Sequence, residues 1–208
     1  MLLLPSQYLA PVPFYAQLYA TPNAVEDWGE HYVKQTTRSR CYIATPQGPQ
    51  PLTVPIERTQ RNHCPMRDIR ISDHGNWRQL HWRALVSAYE NSPYFEYYAD
   101  DFQPFYTTRH YTYLTDFNEG LRRLVCELLG LPCEVEVSKE YVTEISPSSI
   151  DLRPLASPQT LAARFPGAVP YYQVFSSRTG FLPHLSIVDL LFNLGPESRL
   201  VLRKMAQG

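Results

Sequence analysis

ISDHGNWRQLHWRALVSAYENSP, residues 71–93, is where the hydrophobic period of this chain changes. At its leading edge Ile69 and Ile71 alternate with polar neighbours, the two-residue period of a strand. From Trp77 onward the apolar positions follow a different rule. Trp77, Leu80, His81, Ala84, Leu85 and Ala88 recur at i, i+3, i+4, i+7, i+8 and i+11, which places them on one face of a helix. Asn76 with Gln79 three residues later has the form of a capping box, and Ser92-Pro93 is a stop, because the residue before a proline is pushed out of the helical region. The pattern predicts a helix over Asn76–Glu90 with Trp77, His81, Ala84 and Leu85 on the core.

Upstream the signals are those of strands. Residues 2–4 are a short apolar run of the buried-strand kind. Pro11 and Pro13 stiffen the approach to a short helix over Phe14–Ala20. Lys34 to Ile56 reads as a hairpin: Cys41 and Ile43 alternate with polar residues, Thr45-Pro46-Gln47-Gly48 has turn chemistry, and Leu52, Val54 and Ile56 alternate again. Pro55 puts the second strand at an edge or bulge. Downstream, a short aromatic helix is expected around Asp100–Tyr106. A second clear helix follows, capped by Asp116 with Glu119 and striped by Leu121, Leu124, Val125, Leu128 and Leu129. Gly130 and Pro132 stop it. Val135 and Val137 mark a strand, Ser146–Gly167 reads as a loop or insert, Tyr171–Phe175 as a strand, and the segment from His184 as a helix pair. The sum is an α+β fold: a mixed β-sheet with helices packed against it, one domain over 1–208.

Composition narrows the function. A net charge of −1 over 208 residues lacks the cationic surplus a nucleic-acid binder uses to displace counterions. No run approaches the ~20 apolar residues of a membrane span. Cys41, Cys64, Cys126 and Cys133 show no C-x-x-C spacing, so neither a zinc site nor a disulfide framework is implied; free thiols and the lack of a signal-peptide pattern point to the cytoplasm. Nothing names a cofactor or an oligomeric state. Tyrosine stands out, with 15 residues. The pairs Tyr94-Phe95, Tyr97-Tyr98, Phe105-Tyr106 and Tyr171-Tyr172 offer apolar faces with polar tips, suited to sugar rings, though a core of this size needs most of them.

Candidate site residues each carry a plainer reading beside the functional one. His81 on its apolar stripe is a hydrogen-bonded core histidine or a general base with a tuned pKa. Asp73 orients an imidazole, or belongs to the Asp73-His74-Gly75-Asn76 turn before the helix. Lys34, Arg38 and Arg40 share parity, so on an extended strand they project from one face. They bind a phosphate or carboxylate there, or form a solvated face. In the tail, Ser186 with Asp189 has capping-box form and Gly195-Pro196 ends one helix and starts another. That account leaves Asn193 and His184 unexplained, and His184 at a helix start suits an anionic group. Cys64 beside His63 makes a poor nucleophile pair, because adjacent strand residues face opposite sides.

Several stretches resemble the WbqC-like proteins. YLAPVPFY (8–15), KQTTRSR (34–40), PLTVPI (51–56), the block ISDHGNWRQLHWRALVSAYENSPYFEYY (71–98), the helix Asp116–Leu131, YYQVF (171–175) and HLSIVDLLFNLGPES (184–198) are similar to that family's motifs. The resemblance implies a role in bacterial surface polysaccharide (O-antigen or capsule) assembly, with group transfer onto a sugar or sugar nucleotide. Its expected residues are His81 and Asp73 for catalysis, and Lys34, Arg38, Arg40, Tyr172, Gln173, His184, Asp189 and Asn193 for binding. Two motifs depart from the family. Where many members open H-Q-P-x-Y-L-P, this chain has Leu4, Pro5, Ser6, Gln7, Tyr8, Leu9 and Ala10. The Gly-containing segment that ends in Y-L before the tail is also missing, and the short form resembles a Bacteroides-type branch. Those departures favour the alternative of a non-catalytic carbohydrate- or partner-binding protein of the same pathway. Geometry separates the two, since an enzyme brings His81, the basic face and the tail around one pocket.

Overall fold

Four short strands run parallel in one sheet, and a separate hairpin runs antiparallel beside the helices. The computed structural model describes residues 1–21, 23–58, 63–108, 111–131 and 135–207. Cys133 and Pro132, both read in the sequence, lie outside them. Strand β1 (Leu2–Pro5) is buried at every position because it is central, with β2 (Ala24–Asp27) on one side and β6 (Ile150–Asp151) on the other. A strand covered on both faces reads as a continuous apolar run. Helix α1 (Val12–Ala20) carries the chain from β1 to β2, the kind of crossover parallel neighbours require. β5 (Val135–Ser138) closes the far edge against β2.

The hairpin joins β3 (Arg40–Thr45) to β4 (Gly48–Thr53) through the expected turn, pairing Cys41 with Leu52 and Thr45 with Gly48. Residues 34–39 are turns, not the start of its first strand, so the shared parity of Lys34, Arg38 and Arg40 does not become a shared face.

Helix α2 (Trp77–Tyr89) buries Trp77, His81, Leu85, Ala88 and Tyr89; on the stripe its period predicts, Ala84 is half-buried and Leu80 is exposed, so the buried face is narrower than the period indicates. Asn76 is its N-cap residue, but makes no side-chain capping bond. Helix α3 (Phe95–Thr107) is longer than the aromatic stretch indicates, running through Pro104. Helix α4 (Leu114–Leu128) starts at Leu114 behind Tyr113, which places Asp116 inside the first turn instead of at the cap; Glu119 pairs with Arg123. Ile69 and Ile71 flank isolated bridges, Arg70 to Tyr113 and Ile56 to Ile71, and form no strand of their own.

The tail supplies the centre of the helical layer. Helix α7 (Ile187–Leu194) is buried from Ile187 through Asn193 and touches α1, α2, α3, the hairpin strand β3 and the last helix, α8 (Ser198–Gln207). A helix apolar nearly all round is one surrounded by protein. Each of its buried Ile, Leu or Phe side chains contributes roughly 1.5–3 kcal/mol by leaving water. Ser186 caps it, accepting from Val188 N while its hydroxyl donates to Leu9 O at 2.8 Å. Gly195 ends it at φ 51°, where a Cβ would overlap the Tyr94 ring.

Two segments differ from the sequence reading. Ser146–Gly167 is not simply a loop. It contains β6, a 3-10 turn at Arg153–Leu155 and helix α5 (Pro158–Arg164), and buries Leu152, Ala156 and Leu161. Tyr171–Phe175 is irregular, followed by the short helix α6 (Ser176–Thr179), because Gln173 holds the Leu182 backbone by both ends of its amide instead of joining a ladder.

Candidate functional site

β1, β2 and β6 run the same way, so their carboxyl ends open on one edge of the sheet, the place where α/β proteins bind ligands. A crevice of about 430 Å³ lies there, bordered by Glu30, His31, Arg38, Tyr141, Asp151 and Arg153. Its chemistry begins with Asp27, the last residue of β2, which is fully buried. Asp27 Oδ1 accepts from Gly29 N at 2.9 Å and Glu30 N at 3.1 Å, a turn that fixes its carboxylate. Its Oδ2 accepts from Val142 N at 3.2 Å and from Arg153 Nη1 at 2.5 Å. Gly29 permits this packing: a Cβ there would overlap the backbone of Glu140 and Tyr141.

Arg153, in the loop after β6, also bonds Asp151 through Nε at 3.1 Å and Nη2 at 2.9 Å, and lies 4.7 Å from the centre of the Tyr141 ring. Burial works against its charge, but Asp151 and Asp27 outweigh burial and raise its pKa. One turn on from Asp27, Glu30 takes a two-point bond from Arg38, Nε at 2.9 Å and Nη2 at 2.5 Å. Arg38 Nη2 also donates to Arg153 O at 3.2 Å, which joins the two ion pairs into one network. Burial pushes the Glu30 carboxyl up to about 7, with Arg38 pulling it down and Asp27 pushing it up. Three carboxylates and two guanidinia thus share a half-covered crevice.

The loop after β1 braces it. Gln7 Nε2 donates to Thr37 Oγ1 at 2.6 Å, and Thr37 Oγ1 donates to Ala156 O at 3.0 Å, tying the loops after β1 and β6 together. Asn118 on α4 donates to Arg38 O at 2.9 Å and Ser6 Oγ at 3.2 Å.

Of the residues read from the sequence, Arg38 alone reaches this crevice. Lys34 is exposed in a turn, and Arg40 donates to Thr53 Oγ1 at 2.8 Å across the hairpin. His81 is buried: its Nδ1 lies 3.0 Å from the Tyr8 hydroxyl, which is 2.8 Å from that of Tyr106. Tyr8 stacks on its ring and Trp77 meets the ring edge-on. Burial lowers the His81 pKa to about 4, so it is neutral at pH 7. Asp73 does not orient it, because its exposed carboxylate pairs with Arg78 at 2.6 Å.

The tail residues form a third environment. Asp189 is fully buried and accepts from Tyr171 Oη at 2.7 Å, Gln173 Nε2 at 2.8 Å and Tyr89 Oη at 3.0 Å. Burial pushes its pKa up to about 6 against the pull of these donors. Asn193 Nδ2 donates to Asp189 O at 2.7 Å, and its buried Oδ1 has no partner among the described residues. Tyr172 is exposed, and His184 borders a different cleft. His81, the basic residues and the tail therefore do not meet around one pocket.

The chain matches the WbqC-like protein family over residues 6–155. It belongs to that family. The matched span contains every residue of the crevice network and stops before the tail motif. A relative in Mycobacterium tuberculosis, the protein named Uncharacterized protein Rv1507c, is 31% identical over 201 residues, covering 85% of each chain. No solved structure matches. Within this WbqC-like chain, sequence reasoning missed Asp27, Glu30, Asp151 and Arg153. The available signal was the parity of the short run Ala24–Asp27 beside a Trp-Gly turn, too short for periodicity to resolve. Among the described residues no His, Cys, Asp and Glu cluster suits a metal ion, and no helix is long and apolar enough to cross a membrane.

Proposed function

We propose that this WbqC-like protein acts in bacterial surface polysaccharide biosynthesis, in the cytoplasm, by group transfer onto a sugar or sugar nucleotide bound at the carboxyl edge of the parallel sheet. The observation that carries the reading is Glu30: a buried carboxyl on the wall of the crevice, held at two points by Arg38 beside Arg153 and pushed by burial up to a pKa of about 7. A group poised near pH 7 is what general-base chemistry requires. Glu30 takes the proton of an attacking sugar hydroxyl or amine as its oxygen or nitrogen bonds to the transferred group, and the bond from that group to the rest of the donor breaks, the donor's anionic leaving group departing with the electron pair. Arg38 and Arg153 face the anionic part of the ligand, and Tyr141 offers a ring face. His81 enters as a positioning residue, since it bonds Tyr8 in the loop after β1.

The test is unfolding of the protein with a panel of nucleotide sugars, followed by mass analysis of products. A true ligand at 100 times its dissociation constant raises stability by about 2.7 kcal/mol. Glu30→Gln should keep binding within a few-fold and lower turnover about a hundredfold or more.

A second reading is non-catalytic carbohydrate binding in the same pathway. It is favoured by Arg38 and Arg153 already being saturated by carboxylates. Ligand-induced stabilisation that Glu30→Gln leaves intact, with no product from any donor, selects it.

A further inference from the structure

A second cleft, of about 530 Å³, shares no lining residue with the crevice. Its floor is α1, packed against α8, and its far wall is the extended strap that follows α5. Phe165 and Val169 on the strap and Met205 on α8 give it apolar walls. Its charged groups share one sign, with Gln17 a neutral amide beside them. Arg164 at the end of α5, Lys204 on α8 and the His184 ring all border it, and no carboxylate does. Among the described residues neither Arg164 nor Lys204 pairs with an acid, and Arg164 lies over the ring of its neighbour Phe165.

His184 is the least ordinary member. It holds a left-handed backbone at φ 60°, a region non-glycine residues rarely adopt and one that costs about 1 kcal/mol or more. The next two residues impose it: Leu185 O accepts from Val12 N at 3.1 Å, and Ser186 N donates to Tyr42 O at 2.8 Å. The ring is half-buried, burial lowers its pKa, and its Nδ1, itself shielded from solvent, has no hydrogen-bond partner among the described residues, so it enters the site as a neutral polar group. A strained residue over-determined by its neighbours and placed at the mouth of a cleft is a recurring mark of a binding site.

We infer that this cleft binds an amphipathic anion, a phosphate or carboxylate head held by Arg164, Lys204 and His184 with an apolar chain along Phe165, Val169 and Met205. The volume suits one small ligand, and apolar walls with a few convergent polar groups are the usual composition of such sites. Charge on one side only selects the sign of the head, and the apolar walls exclude a fully hydrated ion.

Hexyl phosphate is the probe, with methyl phosphate, hexanol and hexanoate as comparisons, measured by calorimetry on the full chain and by NMR of the histidine rings. Hexyl phosphate should bind and shift the His184 ring signals while leaving those of His31 in place. Methyl phosphate and hexanol should each bind at least about tenfold more weakly, since each lacks one half of the recognised chemistry. Arg164→Glu and Lys204→Glu, both at exposed positions, should each weaken hexyl phosphate about tenfold or more with unchanged unfolding temperature. Equal binding of hexanoate identifies the head as any anion, and weaker binding identifies it as phosphate; both support the site. Absence of hexyl phosphate binding, binding indifferent to both substitutions, or methyl phosphate binding as tightly would overturn it.

Discussion

Asp27 and Arg153 stand 126 positions apart in sequence and form a 2.5 Å ion pair with both side chains nearly fully buried. The pair joins the end of β2 to the loop after β6, beside the crevice that Arg153 lines. Asp27 answers to several groups at once, while the Arg153 guanidinium donates to two carboxylates and the Val142 carbonyl, and the Arg153 carbonyl accepts from the Arg38 guanidinium.

Arg153→Ala should therefore cost about 3–5 kcal/mol, because it leaves Asp27 buried with no cation. Asp27→Asn should cost less, since Asp151 still neutralises Arg153. Urea unfolding of the two single variants and the double variant measures this. A double variant that loses the full sum of the two singles would show that the residues act independently.

The proposed base has its own pH signature. Glu30 is ionised above about 7, so transfer should rise as pH increases through that value and then level off. Arg38→Lys removes the two-point bond and should change the position of that limb. A flat profile between pH 6 and 8 would exclude Glu30 from the chemistry.

His81 and Asp189 should pull acid stability in opposite directions. The folded-state pKa of His81 is depressed, so its contribution is present above 6.5 and is lost as pH falls towards 4. That of Asp189 is raised, so its contribution is present below 3.8 and is lost as pH rises through about 6. Between pH 6 and 4 the two partly offset. Asp189→Asn should steepen the loss of stability in that window, and His81→Gln should flatten it. Unfolding free energies at pH 4, 5, 6 and 7 provide the comparison, and parallel curves for all three proteins would rule the account out.

Gly195→Ala meets two penalties, a left-handed backbone and overlap with the Tyr94 ring. A loss of roughly 2–4 kcal/mol is expected from strain and overpacking together. Tyr94→Ser should recover part of it by removing the ring. Thermal unfolding that shows no recovery would place the whole cost in the backbone.

Asn193→Ala should cost about 1–2 kcal/mol through the lost bond to Asp189 and the small cavity. The family resemblance places Asn193 among the binding residues. Burial of Asn193 inside α7 makes it part of the packing around Asp189, and chemical denaturation reads the difference.

What the sequence by itself determined is what depends on near neighbours. The switch from a two-residue to a 3.6-residue period at residues 71–93 places α2 and its buried face. The turn Thr45–Gly48 sets the hairpin register, and Ser186 with Gly195 brackets α7, because periodicity, capping and turn chemistry act over a few residues. The family motifs were legible for the same reason. Tertiary structure alone decided the crevice. Strands of two to four residues carry too little pattern to be read, and the partners of a parallel strand lie far away along the chain. Ala24–Asp27 shows two acids and no stripe, and Arg153 sits in what reads as a polar insert. Only when β6 joins β1 do Asp27, Glu30, Arg38, Asp151 and Arg153 become neighbours. The same limit applied to His81. Its spacing put it on the core face, but whether it meets a ligand or the Tyr8 hydroxyl depends on a residue 73 positions away, which no local pattern encodes.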